Sequence, residues 1–166
     1  AEAGLTDDVT FLGGGKLGLP DNAVVAMALG VDLLNIAREP MLSIGCIQAQ
    51  KCHTDRCPTG VATQDPWLAH GLDPELKSVR AANYIKTLRR DLLKVAESCG
   101  VAHPALIDTD DVDVLYGDQN ARKLSEVYGY EPGWGRLSER DAAAIRGIMV
   151  GAPEGDSAPP SATAQG

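Results

Sequence analysis

Three of the four cysteines fall within twelve residues, at Cys46, Cys52 and Cys57, spaced C-x5-C-x4-C and followed by Pro58. An odd number of thiols cannot all pair, and these lie too close together to form a spread-out disulfide framework. Structural zinc sites need four ligands, and the run has no clear fourth thiol. Cysteine runs ending in Cys-Pro suit iron–sulfur loops, and a [3Fe–4S] cluster asks for three thiolates and no more. His53 is the other nearby donor, but it adjoins Cys52 and needs an awkward turn to reach the same metal. On spacing alone a cluster, a zinc ion and three inert thiols all stay open.

Upstream elements must carry this loop. Val9 to Leu12 is a short β-prone run that ends at Gly13-Gly14-Gly15. Lys16 to Leu19 leads to Pro20-Asp21, a helix start, and Asn22 to Leu29 is an apolar helix that Gly30 ends as its C′ residue. Val31 to Ala37 suits a strand buried on both faces. The order is strand, glycine loop, helix, strand: a βαβ unit. A triple glycine after a strand offers amides to an anion beside a helix N-terminus, or is a flexible turn. It matches neither G-x-G-x-x-G nor a P-loop. Arg38, at the end of the second strand, either meets a phosphate there or pairs with Glu39.

Downstream, Pro58 to Gly71 reads as loop with an amphipathic Trp67, and Asp73-Pro74 opens a long helix. Its apolar stripe runs through Ile85, Leu88, Leu92, Val95 and Cys99, and Gly100 closes it. Cys99 on that stripe is a core thiol rather than a ligand. Lys86, Arg89, Arg90 and Lys94 lie mostly off the stripe, on a solvated face. Asp108 to Asp118 invites a calcium reading and fails it: Val112, Asp113 and Gln119 stand where a ligand, a glycine and a glutamate are needed. Gly129 to Gly135 is turn-rich and tucked in by its aromatics. A last helix runs from Ser138 to about Met149, and the Gly/Ala/Pro/Ser/Thr composition from Gly151 onward predicts disorder. The chain shows no internal repeat.

The 166 residues allow one modest domain, and a net charge of −8 with scattered basic residues argues against a nucleic-acid surface. No apolar run approaches a membrane span and no signal peptide opens the chain; clustered thiols then point to a reducing cytoplasm. The first residue is Ala1 rather than Met, which suggests a piece of something longer.

Gly45-Cys46, Cys52-His53 and Cys57-Pro58-Thr59-Gly60-Val61-Ala62-Thr63-Gln64-Asp65-Pro66 together resemble the iron–sulfur loop of the glutamate synthase large subunit. Gly13-Gly14-Gly15, the Ala/Val-rich helix and Asn35-Ile36-Ala37-Arg38 are similar to the last strands of that family's FMN-binding barrel. Gly100 to Asp111 and Gly129 to Gly135 resemble single-domain members of the family. The likeness covers about residues 9–135.

The resemblance implies a fold and a chemistry. The fold class is α/β: the last two βα units of a (β/α)8 TIM barrel, then the iron–sulfur loop and C-terminal helices. Residues 1–107 would be the barrel part with its cluster loop at 45–66, 108–150 an extension, and 151–166 a disordered tail. Cys46, Cys52 and Cys57 would hold a [3Fe–4S] cluster, while Gly14, Gly15, Ala37 and Arg38 would face the phosphate of FMN. Lys51 and Arg56 would offset the cluster's negative charge. The reaction implied is reduction of 2-iminoglutarate, from 2-oxoglutarate and glutamine-derived ammonia, to L-glutamate. Electrons would come from ferredoxin or an NAD(P)H-oxidising subunit; catalytic residues lie outside what the chain reveals. A barrel needs eight strands and about 250 residues, so an upstream segment would supply the rest. Three readings follow: an oxidoreductase completed by that segment, an iron–sulfur electron-transfer module without flavin, or a metal-free remnant.

Overall fold

In the computed structural model, which describes residues 8–117 and 120–151, the βαβ unit is present with its strands displaced. Strands β1 (Leu12–Gly14) and β2 (Leu33–Asn35) pair in parallel, Leu12 opposite Leu33 and Gly14 opposite Asn35, and α1 (Pro20–Ala28) connects them. Gly13 and Gly14, expected to stop the first strand, are instead part of it, and Gly15 follows its end. A Cβ added at Gly13 would lie 2.7 Å from Val31 Cγ1, so glycine is what lets β1 approach the residue entering β2. Asp32 accepts from the Phe11 amide at 2.8 Å and aligns the two strand starts.

β2 is shorter than expected and is not buried on both faces. Leu33 is 56% exposed and Leu12, its register partner, 70% exposed, because among the described residues no second layer covers that side of the sheet. Residue Arg38 does not end the strand; it begins α2 (Arg38–Ser43). The molecule is a mixed α/β chain with two small sheets, the second an antiparallel hairpin of β3 (Asp113–Tyr116) and β4 (Asn120–Lys123).

Helices end where glycine permits a left-handed residue. At α1, the Gly30 amide bonds Met27 O at 2.9 Å and the Val31 amide bonds Ala26 O at 3.1 Å, the paired bonds of a Schellman motif. The long helix α4 (Pro74–Ser98) opens on Asp73, whose carboxylate accepts from the Glu75 and Leu76 amides, and ends the same way over Gly100. The segment read as loop before it contains a short helix, α3 (Pro66–Ala69), because Asp65 caps the Trp67 and Leu68 amides and Pro66 presets the first turn.

Val24 and Ala28 of α1, Ala96 of α4, Ile107 and Leu124 form the core, with Leu92, Val95 and Cys99 packed on it. Cys99 is thus a packing thiol, as its place on the stripe predicts. Leu124 opens α5 (Leu124–Tyr128) directly after β4, so the core draws on both sides of residue 108. At 1% exposure, it is the largest fully buried side chain among the described residues. Leu124→Ala is expected to cost about 2–5 kcal/mol, read from the shift in urea midpoint at unchanged slope.

Asp108 and Asp111 form a reciprocal capping box on the turn at Thr109–Asp111, and Asp108 also pairs with Arg136. Tyr130 donates to Leu29 O at 2.9 Å and stacks edge-on with Trp134, which seats the turn-rich segment on the end of α1. Ser138 caps the last helix, α6 (Glu139–Gly151), by accepting from the Asp141 amide at 3.1 Å. Gly151, where the expected tail begins, is still helical; the rest of that tail and the lead-in before Asp8 lie outside the described residues. Lys86, Arg89, Arg90 and Lys94 are exposed as expected. An apolar cleft of about 460 Å³ lies between β2, α4 and α6, walled by Leu33, Leu34, Ile85, Leu92, Ile145 and Ile148. No helix among the described residues is long and apolar enough to cross a membrane.

Candidate functional site

The cysteine loop starts from a helix end. At α2, the Gly45 amide bonds Leu42 O at 3.1 Å and the Cys46 amide bonds Met41 O at 3.0 Å, so Cys46 is the second residue past the helix in another Schellman motif. Its sulfur accepts from the Gln48 amide at 3.4 Å. Gln48, Gln50 and Asp55 all take positive φ, at 56°, 55° and 60°. Such conformations are uncommon for residues other than glycine and concentrate where a loop clamps a ligand.

Cys52 and His53 occupy successive positions of the 3-10 turn Cys52–Thr54, and both are exposed. Successive residues on such a turn project about 120° apart, which keeps His53 from sharing a metal with Cys52. Asp55 ends the turn and latches the far side of the loop. Its carboxylate accepts from the Gln64 amide and the Thr63 hydroxyl, and its carbonyl accepts from that hydroxyl as well.

Cys57 is the buried member of the three, at 7% exposure. The Thr59 hydroxyl lies 3.5 Å from its sulfur, and the amides of Ala62, Thr59 and Val61 lie close enough to stabilise a thiolate. The hydroxyl has the largest effect and the Ala62 and Thr59 amides follow, so the thiol falls from its ordinary 9.0 to about 7 although burial opposes this. The folded value is depressed, so this group adds stability above the unfolded value, and that stability is lost as pH falls through 7. In a chain carrying Cys57 alone (Cys46, Cys52 and Cys99 changed to Ser), iodoacetamide labelling should therefore rise with a midpoint near pH 7 when folded. The urea-unfolded chain should show the midpoint of a free thiol, about 8.5.

Every residue from Thr59 to Pro66 has a structural task here. Thr59, Val61 and Ala62 serve the Cys57 sulfur; Thr63 and Gln64 hold Asp55; Asp65 and Pro66 start α3. Gly60 and Gly71 let two backbones meet, since a Cβ at Gly60 would lie 2.4 Å from Leu68 O and one at Gly71 2.8 Å from Thr59 O.

The other candidate residues gather at one end of the parallel sheet. Gly14 ends β1 opposite Asn35, Gly15 follows at φ 117°, and Ala37 and Arg38 follow β2; all four are exposed. The C-terminal ends of parallel strands are where α/β folds place ligands, and the backbone at Gly15 is open to approach, with no heavy atom within 4 Å of its Cβ position. Arg38 does not pair with Glu39. Glu39 lies over Gly18 instead, where an added Cβ would be 2.5 Å from its own Cβ. Tyr84 of α4 donates to Gly18 O at 2.7 Å, tying the glycine loop to the long helix. Burial, then the charge of Glu39, raises the Tyr84 hydroxyl above its ordinary range and keeps it a donor.

The donor chemistry of the loop suits a thiolate-ligated cluster: sulfur ligands, amides directed at two of them, and one thiol already inclined to ionise. The side chains are not drawn together, however. Among the described residues, no group of three or more His, Cys, Asp or Glu converges to hold a metal ion. Sequence reasoning missed the roles of Asp55, Thr59 and Tyr84. Asp55 and Thr59 carried a weak signal, as short polar side chains in a cysteine-rich loop; Tyr84 carried none, being far away in sequence.

Comparison with known proteins bears on the same stretch. Residues 1–102 match the family described as the conserved region in glutamate synthase. The chain is 46% identical over 101 residues to the glutamate synthase large subunit-like protein YerD of Bacillus subtilis (strain 168), covering 61% of this chain and 19% of that protein. It is 31% identical over 100 residues to the archaeal glutamate synthase (NADPH) of Archaeoglobus fulgidus, covering 60% and 20%. Over 65 residues it is 42% identical to the glutamate synthase (NADPH) large chain of Bacillus subtilis (strain 168), covering 39% and 4%. The chain thus spans about one-fifth of the length of the first two relatives. No solved structure matches it.

Proposed function

Because this chain belongs to the glutamate synthase family, whose conserved region matches residues 1–102, we propose that it is the cluster-bearing part of an FMN- and iron–sulfur-dependent oxidoreductase that reduces 2-iminoglutarate to L-glutamate. In this reading β1-α1-β2 are the last βα units of a (β/α)8 barrel, and the rest of the barrel covers what is bare here. The exposed Leu12 and Leu33 and the apolar cleft beside β2 support that reading, since parallel sheets are normally buried on both faces.

Cys46, Cys52 and Cys57 would hold the [3Fe–4S] cluster, and Gly14, Gly15, Ala37 and Arg38 would meet the FMN phosphate. When bound, the cluster supplies one-electron transfer and the flavin supplies hydride transfer. The residues themselves bind and orient. Thr59 and the Val61 and Ala62 amides favour ionisation of the Cys57 thiol, Asp55 closes the loop, and Tyr84 with Glu39 fixes the glycine turn. The strained backbone between Cys46 and Asp55 is what cluster binding would offset. Ammonia derived from glutamine and 2-oxoglutarate would furnish the imine. The NADPH in two relatives' names favours a pyridine-nucleotide-oxidising partner over ferredoxin as electron source.

The observation that carries this reading is the Cys57 sulfur, buried yet ringed by donors that favour the thiolate. The test is anaerobic reconstitution of the chain with ferrous iron and sulfide, followed by metal analysis and EPR of the oxidised form. Three irons per chain and the signal of an oxidised [3Fe–4S] centre are expected. A chain that takes up no iron sinks the proposal. Cluster without any FMN uptake favours the electron-transfer module.

A further inference from the structure

We infer that the cleft between β2, α4 and α6 binds a straight-chain aliphatic monocarboxylate, its tail along the apolar walls and its head against Arg89 and His103. The cleft holds about 460 Å³, a volume in the range of small-molecule sites. Its walls are Met, Leu, Ile and Pro side chains, and among the described residues no phenylalanine, tyrosine or tryptophan lines it. Such walls suit an aliphatic chain and offer a planar ring no partner for stacking. The inference stands apart from the cluster reading. His103 and α6 lie outside residues 1–102, which match the family, and neither iron nor flavin enters the argument.

The charged and polar side chains on the lining are Asp32, Arg89 and His103. Asp32 is committed, because its carboxylate accepts from the Phe11 amide. Arg89 is not: among the described residues no carboxylate lies within ion-pair distance of its guanidinium. His103 caps the turn Pro104–Leu106, its Nδ1 accepting from the Ala105 amide at 3.1 Å, so Nε2 carries the proton. Among the described residues that Nε2 meets no acceptor. Burial, then the charge of Arg89, lowers His103 from its ordinary value, so it stays an uncharged donor at neutral pH.

The cleft therefore joins apolar walls to a free guanidinium and an imidazole N–H, close enough for the charge of one to act on the other. A carboxylate has two oxygens to accept from them. Asp32 on the same lining repels a phosphate dianion more than a monoanion, which makes the monocarboxylate the better match. Arg89 is exposed, so the head stays at the mouth, partly in water, while the tail leaves water. Ile148 of the α6 wall is 71% exposed and is apolar surface for that tail to cover.

The test is calorimetric titration of the full chain with decanoate, decanol and decyltrimethylammonium, each kept below its solubility or micelle limit. Decanoate should bind once per chain, about fivefold tighter than decanol, the scale of an ion pair at a wet mouth. Arg89→Gln should bring decanoate down to the affinity of decanol, and Arg89→Lys should keep most of the difference. Ile148→Glu should weaken decanoate by placing a carboxylate in the wall; both positions are exposed, so the fold should tolerate these changes. Decanoate and decanol bound alike, with Arg89→Gln without effect, overturn the inference in favour of a bare apolar face that a covering polypeptide takes. Tighter binding of the cation overturns it in favour of Asp32. No binding of decanoate, or binding that Arg89→Gln and Ile148→Glu both leave unchanged, overturns it outright. A chain that takes up iron but no decanoate sinks this inference and leaves the cluster reading standing.

Discussion

Gly60→Ala should destabilise the chain by about 2–5 kcal/mol, the sum of a left-handed alanine and overpacking against backbone. Gly60 sits at φ 76°, and the new Cβ would lie 2.4 Å from Leu68 O and 2.9 Å from Leu72 N. Neither contact is the end of a flexible side chain, so relief requires the Cys57 loop to part from the turn between α3 and α4. Two measurements separate the local from the global effect. Urea unfolding gives the stability loss, and the pH midpoint of Cys57 labelling reports the donors around its sulfur. If the loop separates while the core holds, the labelling midpoint climbs from near 7 toward the free-thiol value with little change in the urea midpoint. A variant with both readouts unchanged would show that Gly60 does not lie against Leu68.

Cys57→Ser should abolish iron incorporation, while Cys99→Ser leaves it intact. Cys57 combines burial with a thiolate-stabilising surround, and Cys99 packs against Leu92 and Val95 in the apolar core. A serine at 57 loses the soft sulfur ligand but keeps the shape, so the apo fold should persist and the loss reads as loss of ligation. Thr59→Val is the finer probe. It removes the hydroxyl with the largest effect on the Cys57 sulfur and should raise the thiol while leaving the amides in place. Iron retained in Cys57→Ser would remove this residue from the ligand set.

The elements legible in the chain were those announced by local chemistry. Asp73-Pro74 and Gly100 bracket α4 because a carboxylate satisfies the free amides at one end and a glycine accepts the left-handed turn at the other. The hairpin β3–β4 was not legible. Its first strand read as part of an acidic run, and Leu115 and Tyr116 are exposed, so the buried-and-polar alternation that marks a strand is missing. The displaced first strand has a similar origin: glycine signals a turn, and only the nearness of Val31 shows that it was needed for packing.

By itself, the order of residues determined the cysteine spacing, the βαβ unit, the capped long helix and the likeness to glutamate synthase. All of these depend on neighbours within a few positions or on matched motifs. Tertiary structure decided what surrounds each sulfur and which end of the sheet carries Gly15 and Arg38. It also decided that Lys77 and Tyr84 of α4 reach back to Gly45 and Gly18. Burial, donor placement and charge proximity act through space, and no spacing rule in one chain encodes them until helices pack.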